Sequence, residues 1–504
     1  MLNIALISLY GVENNGIRSI SSFLKQNGFN VYLIFFKRWL NNDMHYPSEK
    51  EKRHLVSLCK ELEIDLVGIS FTSPFLKIAQ DLTMQMKSSL DIKIAWGGIH
   101  ATVEPRESLE YCDFICRGEG EHVMLDLARA LAGRWTLEGI KNLCYKKDDK
   151  VIFEDLRPLI QDLDILPPQD YGGVNKFFID KDLKNIDPLV SAKELRVFAS
   201  RGCPFNCSYC YNSIYRALYQ NQRYYRIGSV EKVLSEIEVG LSRFKKIKKI
   251  KFDDDTFIFP AYWIDEFCKK YRQRVKLPFE ILFNAQCLDK SNLKKLKCAG
   301  LKRIQIGIQT GSVQESEQVY NRKLEVDVIK KFAQEAKKIN LDVVYDLIFD
   351  NPLSTPENKK ELITLLLDLP RPFSLFLYSL TVFPGTELSK IFLEKKIITP
   401  DDIEGRANKS FYQFRLGFSY PRSEDELFAV AIVSLISKSF IPKNVIRLLA
   451  RSVFLKKHLF LIKLIAQASN FIKLFHVGLK MIMQGVLSVW KFKEYGSPKR
   501  LLIQ

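Results

Sequence analysis

The sequence is poor in the features that mark secreted proteins. Ten Cys and six His in 504 residues are too few for a disulfide scaffold. The opening residues, MLNIALISLY, lack the basic segment of a secretory signal and have a strand-like pattern. We therefore expect a protein of the reducing cytoplasm, where clustered thiols usually serve metal or redox chemistry.

Positive charge is distributed unevenly along the chain. The net charge is +18, and residues 425–504 contain thirteen Lys and Arg against three Asp and Glu. The basic character is thus mainly a property of the C-terminal part. Nucleic acid, a membrane surface and an acidic ligand are the partners that such a charge favours.

The length predicts two or three domains, because a single core seldom grows beyond about 250 to 300 residues. In residues 1–135, apolar runs alternate with helical patterns, which predicts a Rossmann-like (flavodoxin-like), doubly wound α/β sheet. Its expected strands are 3–10, 31–36, 66–71, 92–98 and 114–118. In such a sheet the ligand binds beyond the carboxyl ends of the strands.

A second strand–helix series follows a predicted connector at residues 136–190. Six units within residues 191–420 predict a partial or full β/α (TIM-type) barrel, with its chemistry at the strand carboxyl ends. The expected strands lie in LRVFAS, IKKIKFDDD, PFEILFNAQ, KRIQIGIQTGS, LDVVYDLIFDNP and FSLFLYSL. Residues 421–504, rich in Leu, Ile, Phe and Lys, predict a basic α-helical region.

Three cysteines, Cys203, Cys207 and Cys210, lie within eight residues of the segment SRGCPFNCSYCYN. A structural zinc site needs four ligands, yet no His is near and the next cysteine is Cys268. Three thiolates suit a soft metal or an iron–sulfur cluster. A zinc site and a chance grouping of loop cysteines are the alternatives.

The Cys203-x3-Cys207-x2-Cys210 spacing, just after the first strand of a β/α series, resembles the radical S-adenosylmethionine (SAM) superfamily. The resemblance implies a 4Fe-4S cluster held by these cysteines, with one open iron that binds the amino and carboxylate groups of SAM. Reductive cleavage of SAM then yields methionine and a 5′-deoxyadenosyl radical. Tyr209, before the last cysteine, is implied to pack near the SAM adenine.

Two later segments carry further SAM candidates under the same resemblance. In KFDDDTF, the residues Asp253 to Asp255 border the expected SAM amino group, and Asp254 and Asp255 are the chosen candidates; capping of the following helix is the alternative. In IQIGIQTGS, Gln309 stands where the family usually has Glu, and it is expected with Ser312 at the SAM ribose or carboxylate. VFPGTEL (382–388) resembles the last barrel strand and turn.

The segments WGGIHATVEP (96–105) and RGEGE (117–121) resemble the cobalamin-binding branch of that superfamily. This resemblance implies that cobalamin binds at the carboxyl edge of the first sheet. The expected contacts are Ser70, Thr72, Ser73, Gly97, Gly98, His100 and Glu119. A turn that simply needs glycine and a structural role for His100 are the alternatives.

The loop after the first strand, YGVENNGIRS, has no His and departs from the D-x-H-x-x-G motif of mutase-type cobalamin modules. We therefore expect cobalamin without a histidine ligand to cobalt.

The resemblance implies an anaerobic enzyme, foremost a methyltransferase acting on an unactivated centre of a small-molecule, natural-product or lipid-like substrate. An electron donor such as flavodoxin or ferredoxin is implied with it. A radical SAM oxidoreductase or cyclase without methyl transfer is the main alternative, and a non-enzymatic metal-binding or membrane-adaptor protein is another. An RNA-modifying methylthiotransferase is disfavoured, because no cysteine precedes Cys59; no nucleic-acid partner is expected.

The C-terminal region has two interpretations. Between Phe440 and Lys493 there is no acidic residue, and Lys443, Arg447 and Arg451 are four apart, with Trp490 near the end. No uncharged apolar run there reaches the roughly 18 to 20 residues of a spanning helix. A basic amphipathic helix suits the inner face of an anionic membrane, whereas a helical cap on the barrel is the alternative.

Overall fold

The structure is a computed structural model and describes residues 2–38, 45–287, 289–407 and 422–483. The chain forms two compact units. The first comprises Met1–Leu282, Cys298–Gly300 and Val382–Ser410, and the second comprises Phe283–Lys297, Leu301–Thr381 and Phe411–Gln504. The four domain ranges expected from the sequence stay a prediction.

The first unit begins with five parallel strands. They are β1 (Asn3–Leu9), β2 (Asn30–Phe36), β3 (Leu66–Ser70), β4 (Lys93–Gly97) and β5 (Phe114–Cys116). Their order is β5–β4–β3–β1–β2, and each neighbouring pair is parallel. This is the flavodoxin-like order, so the predicted doubly wound sheet is confirmed.

Helices cover both faces of these strands. They are α1 (Asn15–Gln26), α2 (Glu49–Glu61), α3 (Leu76–Ser89), α4 (Ile99–Val103), α5 (Pro105–Ser108) and α6 (Gly120–Leu131). Ala5 and Ile7 of β1 belong to one apolar core, whereas Ile4 and Leu6 belong to the other. Successive strand side chains point to opposite faces, so the apolar run of β1 fills both cores.

The predicted connector contains four short strands that its sequence pattern does not indicate. They are β6 (Leu143–Lys147), β7 (Lys150–Phe153), β8 (Lys176–Asp180) and β9 (Asp182–Lys184). β6 pairs antiparallel with β5, and β8 pairs parallel with β2, so the sheet grows to nine strands from both edges. Strands of three to five residues are too short for a clear alternation.

The first three strands of the second series also belong to the first unit. They are β10 (Glu194–Val197), β13 (Lys249–Phe252) and β14 (Phe279–Phe283), with β11 (Ser200–Arg201) and β12 (Arg226–Ile227) forming a small antiparallel ladder. The helices of this part are α7 (Tyr211–Leu218), α8 (Val230–Arg243), α9 (Ala261–Arg274), α14 (Glu387–Glu394) and α15 (Pro400–Ala407).

The second unit holds the other three strands of the series, β15 (Leu301–Gln309), β16 (Asp342–Phe349) and β17 (Ser374–Ser379), paired in parallel. Its β/α helices are α10 (Lys290–Ala299), which ends in the first unit, α11 (Val313–Gln318), α12 (Val326–Lys338) and α13 (Pro356–Asp368). All six predicted strands of the series are therefore present.

Four helices end the described chain: α16 (Glu424–Ile436), α17 (Lys443–Arg451), α18 (Val453–Lys457) and α19 (Leu459–Met483). α16 is largely buried, and Lys359 of α13 pairs with its Glu426 at 3.0 Å. Lys443 Nζ donates to the Leu369 carbonyl at 2.7 Å. Within the second unit, the first two of these helices thus pack against α13 and the residue that follows it, as the cap interpretation expects.

Among the described helices, none has the length and apolar content to cross a membrane. Trp490 lies outside the described residues.

Candidate functional site

The three-cysteine loop lies between β11 and α7. Cys203 and Cys207 are buried, and Cys210 is half-buried at the N-cap of α7. Arg216 donates to the Cys203 carbonyl at 2.6 Å. Gly202 has φ +80°, and a Cβ there would lie 2.4 Å from the Tyr224 carbonyl oxygen. Only glycine allows this entry into the loop.

The loop thiols share one electrostatic environment. Burial, together with the nearby Asp255 carboxyl, raises the pKa of Cys203 to about 12 and that of Cys210 to about 11. Cys207 and Cys210 also raise the pKa of the Cys203 thiol. Among the described residues, no group of three or more His, Cys, Asp or Glu side chains is arranged to hold a metal ion.

The three Asp residues after β13 have different surroundings. Asp253 pairs with Arg196 and Lys251. The fully buried Asp254 accepts from the Ala199 amide at 3.0 Å through Oδ1, and burial raises its pKa to about 7. Its Oδ2 has no hydrogen-bond partner among the described residues.

Asp255 is the carboxylate that adjoins the cysteine loop. It accepts from the Tyr211 hydroxyl at 2.9 Å and from Asn212 Nδ2 at 3.2 Å, and burial raises its pKa. Pro260 occupies the N-cap of α9, so the helix-capping alternative for the three Asp residues is wrong.

Gln309 and Ser312 lie in the second unit, where β15 ends and α11 begins. Gln309 has φ +68°. The hydroxyl of buried Ser312 accepts from Asn358 Nδ2 at 2.9 Å and caps α11. These contacts orient Ser312 from within the unit, and the SAM role expected for both residues stays a prediction.

Tyr209 is half-buried in the cysteine loop. The segment VFPGTEL (382–388) contacts the cysteine loop: the Leu388 amide donates to the Ser208 carbonyl at 2.8 Å. A Cβ on Gly385 would lie 2.5 Å from Val103, the last residue of α4. This turn therefore braces the loop as well as marking the fold, a contact that the sequence did not indicate.

The expected cobalamin edge contains three of its candidates at the strand ends: Ser70 is the last residue of β3, Gly97 is the last residue of β4, and Gly98 follows it. Gly98 has φ +88°, and its Cβ would lie 2.6 Å from the Phe71 carbonyl oxygen, so the turn itself demands glycine. A Cβ on Gly97 would meet only Cys116, at 3.6 Å. The backbone at Gly97 therefore does not require glycine.

His100 and Ser73 contact each other beside this edge. Their Nδ1 and Oγ atoms are 3.0 Å apart, and burial lowers the pKa of His100 to about 4. In the part of the chain that the structure describes, His100 Nε2 has no hydrogen-bond partner. Thr72 is exposed. None of these three residues lines the cavity described below. Both interpretations of His100, corrin contact and structural histidine, therefore remain.

Glu119, at the start of α6, contacts Arg201, which lies two residues before Cys203. Its Oε1 accepts from Arg201 at 3.1 Å and Arg226 at 2.8 Å, and its Oε2 accepts from the Ile160 amide at 2.8 Å. Glu121 accepts from Arg201 at 2.5 Å. The sequence interpretation missed this network, since its partners are 41 to 107 residues apart in the chain.

One cavity of about 420 Å³ adjoins both candidate sites. On one side are Ser70, Gly97 and Gly98, and on the other are Tyr211 and Asp255 beside the cysteine loop. Other glycines of its wall include Gly68, Gly118 and Gly120, where a Cβ would clash with Leu6, Tyr219 and Ile20, so packing within the protein accounts for them. At Gly97 the nearest atom to a Cβ is 3.6 Å away, so the open backbone there fits a bulky cofactor such as cobalamin.

Comparison with known protein families agrees with this arrangement. The family described as B12 binding domain matches residues 5–128, and the Radical SAM superfamily matches residues 197–369. The chain is a radical SAM enzyme with a B12-binding domain. The predicted order of the two domains is confirmed.

Three relatives cover different shares of the chain. An uncharacterized methyltransferase of Pyrococcus horikoshii is 28% identical over 342 residues, 66% of this chain and 70% of that protein. The bacteriochlorophyllide d C-8(2)-methyltransferase of Chlorobaculum tepidum is 22% identical over 79% of this chain and 84% of that protein. An anaerobic magnesium-protoporphyrin IX monomethyl ester cyclase of Cereibacter sphaeroides is 29% identical over 51% of this chain. That match spans only 42% of the cyclase's length.

Two solved structures share the fold. The cobalamin-dependent SAM radical enzyme OxsB, with aqua-cobalamin and SAM bound, superposes with a TM-score of 0.67 at 16% identity, covering 100% of this chain and 82% of that chain. The radical SAM methyltransferase TsrM from Kitasatospora setae, with cobalamin and a [4Fe-4S] cluster, gives 0.64 at 14% identity, covering 94% and 100%. At these identities the likeness shows the fold alone.

Proposed function

We propose that this radical SAM enzyme is a cobalamin-dependent methyltransferase that methylates an unactivated carbon of a small-molecule, natural-product or lipid-like substrate. One observation carries the proposal: a single cavity is lined both by the glycine edge of the B12-binding domain and by Tyr211 and Asp255 beside the cysteine loop. Methyl transfer between two cofactors and a substrate requires a space that all three share.

The residues of the site have separate proposed tasks. When bound, cobalamin supplies a methyl carrier, and the cluster with SAM supplies the 5′-deoxyadenosyl radical. Cys203, Cys207 and Cys210 would hold the cluster. Asp255 would accept a hydrogen bond from the SAM ammonium, since charge-assisted bonds are the strong ones. Gly97 would leave room for the corrin.

The remaining site candidates keep the tasks expected from the sequence. Tyr209, Asp254, Gln309 and Ser312 are proposed SAM contacts, and Ser70, Thr72, Ser73, Gly98, His100 and Glu119 are proposed cobalamin contacts. The loop after β1 has no His, which supports cobalamin without a histidine ligand to cobalt.

Methyl transfer is favoured over cyclisation by the extent of the matches. The chain covers 70% and 84% of the two methyltransferase relatives, but 42% of the cyclase. The cyclase is nevertheless as similar in its matched part, at 29% identity. A cyclase or oxidoreductase without methyl transfer is therefore the second candidate.

Product analysis separates the two candidates. Anaerobically purified protein would be reconstituted with iron, sulfide and hydroxocobalamin, then given reductant, trideuteromethyl-labelled SAM and fractionated small-molecule and lipid extracts. A methyltransferase consumes two SAM molecules per substrate, so S-adenosylhomocysteine and 5′-deoxyadenosine should form in equal amounts with a deuterated product. Formation of 5′-deoxyadenosine without S-adenosylhomocysteine or label transfer would favour the second candidate. Absence of both compounds would overturn both.

Location and partners form part of the same proposal. A reducing cytoplasm keeps the thiols available for iron, and an electron donor such as flavodoxin or ferredoxin would supply the electrons. We propose no nucleic-acid partner. Peripheral contact with the inner face of the membrane is proposed through the C-terminal helices.

A further inference from the structure

Exposed apolar side chains concentrate at the end of the described chain. Of the large hydrophobic residues that are exposed in its described part, eleven lie between Phe440 and Phe475 and ten lie in all the rest. Single exposed apolar residues are ordinary, whereas such a concentration marks an interaction surface.

Four exposed apolar residues of α19 form one stripe, and the exposed Ile465 and Ile472 widen the apolar surface to about 140° of the helical wheel. Phe460, Leu464, Phe471 and Phe475 are 56–67% exposed and lie within about 60° of each other on a helical wheel. The buried residues Ile462 and Ala466 lie on the other side, and α19 packs there against α16. Between Leu459 and Phe475, α19 thus packs against α16 with one face and exposes apolar side chains on the other.

The charged side chains of the segment that carries this stripe are all basic, and one of them, Lys456, pairs with Asp425 of α16 at 2.6 Å. The sequence from Phe440 to Lys493 has no acidic residue. Arg451 and Lys457, which precede α19, are exposed. A second copy of the same surface would bring like charges together, which costs energy. An anionic bilayer, with apolar tails beneath negative headgroups, complements both properties.

We infer that α19 lies in the surface of an anionic membrane, with the stripe of Phe460, Leu464, Phe471 and Phe475 among the acyl chains. Arg451 and Lys457 contact the lipid phosphates. The helix lies parallel to the bilayer instead of crossing it, because its other face is packed on α16. The inference rests on the cytoplasmic location proposed above and is independent of the reaction.

Vesicle cosedimentation tests this membrane contact. The experiment uses the full chain reconstituted with its cofactors, in the absence of SAM. We expect binding to vesicles of phosphatidylglycerol and phosphatidylcholine, weakening as salt screens the charges, and at least tenfold less binding to phosphatidylcholine alone. Leu464→Asp with Phe471→Asp should reduce binding to the anionic vesicles at least tenfold. Both residues are exposed, so the thermal midpoint should not change.

The matched control places the same two Asp residues on another exposed apolar pair, Val174 and Tyr262 of the first unit. Val174→Asp with Tyr262→Asp should bind vesicles like the unmodified chain. Equal loss in this control would overturn the inference, as would a full chain that fails to bind anionic vesicles at low salt. A third outcome is also informative. If the chain does not bind vesicles but sediments as a dimer, and the α19 substitutions dissociate that dimer, the stripe binds a second copy of the chain. Failure of the proposed reaction would leave these results unchanged.

Discussion

The guanidinium of Arg201 joins Glu119 and Glu121, at 3.1 and 2.5 Å, and so ties the cysteine segment to the start of α6 in the B12-binding domain. Arg201 lies two residues before Cys203. The side chains of Glu121 and Arg226 in this network are almost completely buried. The network therefore connects the two cofactor regions within the first unit.

Arg201→Gln should destabilise the protein by on the order of 3 kcal/mol, because a buried Glu121 is left without its cation. Arg274 is the matched control, since it also pairs with two carboxylates, Glu231 and Glu238, but at the surface. Arg274→Gln should cost less than about 1 kcal/mol. Chemical denaturation of the three proteins measures both effects, and equal losses would contradict a structural role for the network.

The pH dependence of stability should report Glu121. Burial alone would raise its pKa, but Arg201 lowers it to about 2, below the usual 4.5. The ion pair therefore contributes stability above pH 4.5 that is lost as the pH falls toward 2. Thermal midpoints measured stepwise over this range should fall more steeply in the unmodified protein than in Glu121→Gln. Parallel curves would show that Glu121 is not held ionised.

Replacing Cys203, Cys207 and Cys210 together with Ala should abolish both iron binding and the formation of 5′-deoxyadenosine. Iron analysis and the absorbance of the reconstituted protein measure the first effect. Cys298→Ala is the control, because that thiol is exposed on α10. It should leave the iron content unchanged. Full iron content in the triple variant would refute the cluster assignment.

Gly97→Leu should weaken cobalamin retention at least tenfold with little loss of stability. Its Cβ meets only Cys116 at an ordinary distance, so the larger side chain takes space in the cavity instead of straining the backbone. Cobalt per chain after desalting measures retention. Gly98→Ala is the contrasting variant, since its positive φ and the nearby Phe71 carbonyl should cost about 1 to 3 kcal/mol. Unchanged cobalt content in folded Gly97→Leu would remove Gly97 from the site.

Asp255→Asn should weaken SAM binding about tenfold, because a charge-assisted hydrogen bond becomes a neutral one. Equilibrium dialysis of labelled SAM against the reconstituted protein measures this change. Asp253→Asn serves as the control, since Asp253 is engaged by Arg196 and Lys251. Iron content should be the same in both. Equal SAM affinity in the two variants would assign the SAM ammonium to another acceptor.

Local sequence patterns were enough to predict most of the fold. The apolar runs of β1 to β5 and the six strands of the second series are long enough for their periods to appear. The short strands β6 to β9 were missed, because three to five residues carry little periodic signal and their pairing depends on the edges of a sheet already formed.

The sequence by itself determined the cysteine spacing, the glycines of the cobalamin edge and the basic, acid-free C-terminal region, since each is a local property of the chain. Only the tertiary structure decided that Glu119 joins Arg201 and Arg226, that Asp255 adjoins the cysteine loop while Asp253 does not, and that α19 exposes an apolar stripe. These facts depend on which surfaces meet after folding. Residues far apart in the chain become partners through burial and packing, and no local pattern encodes that choice.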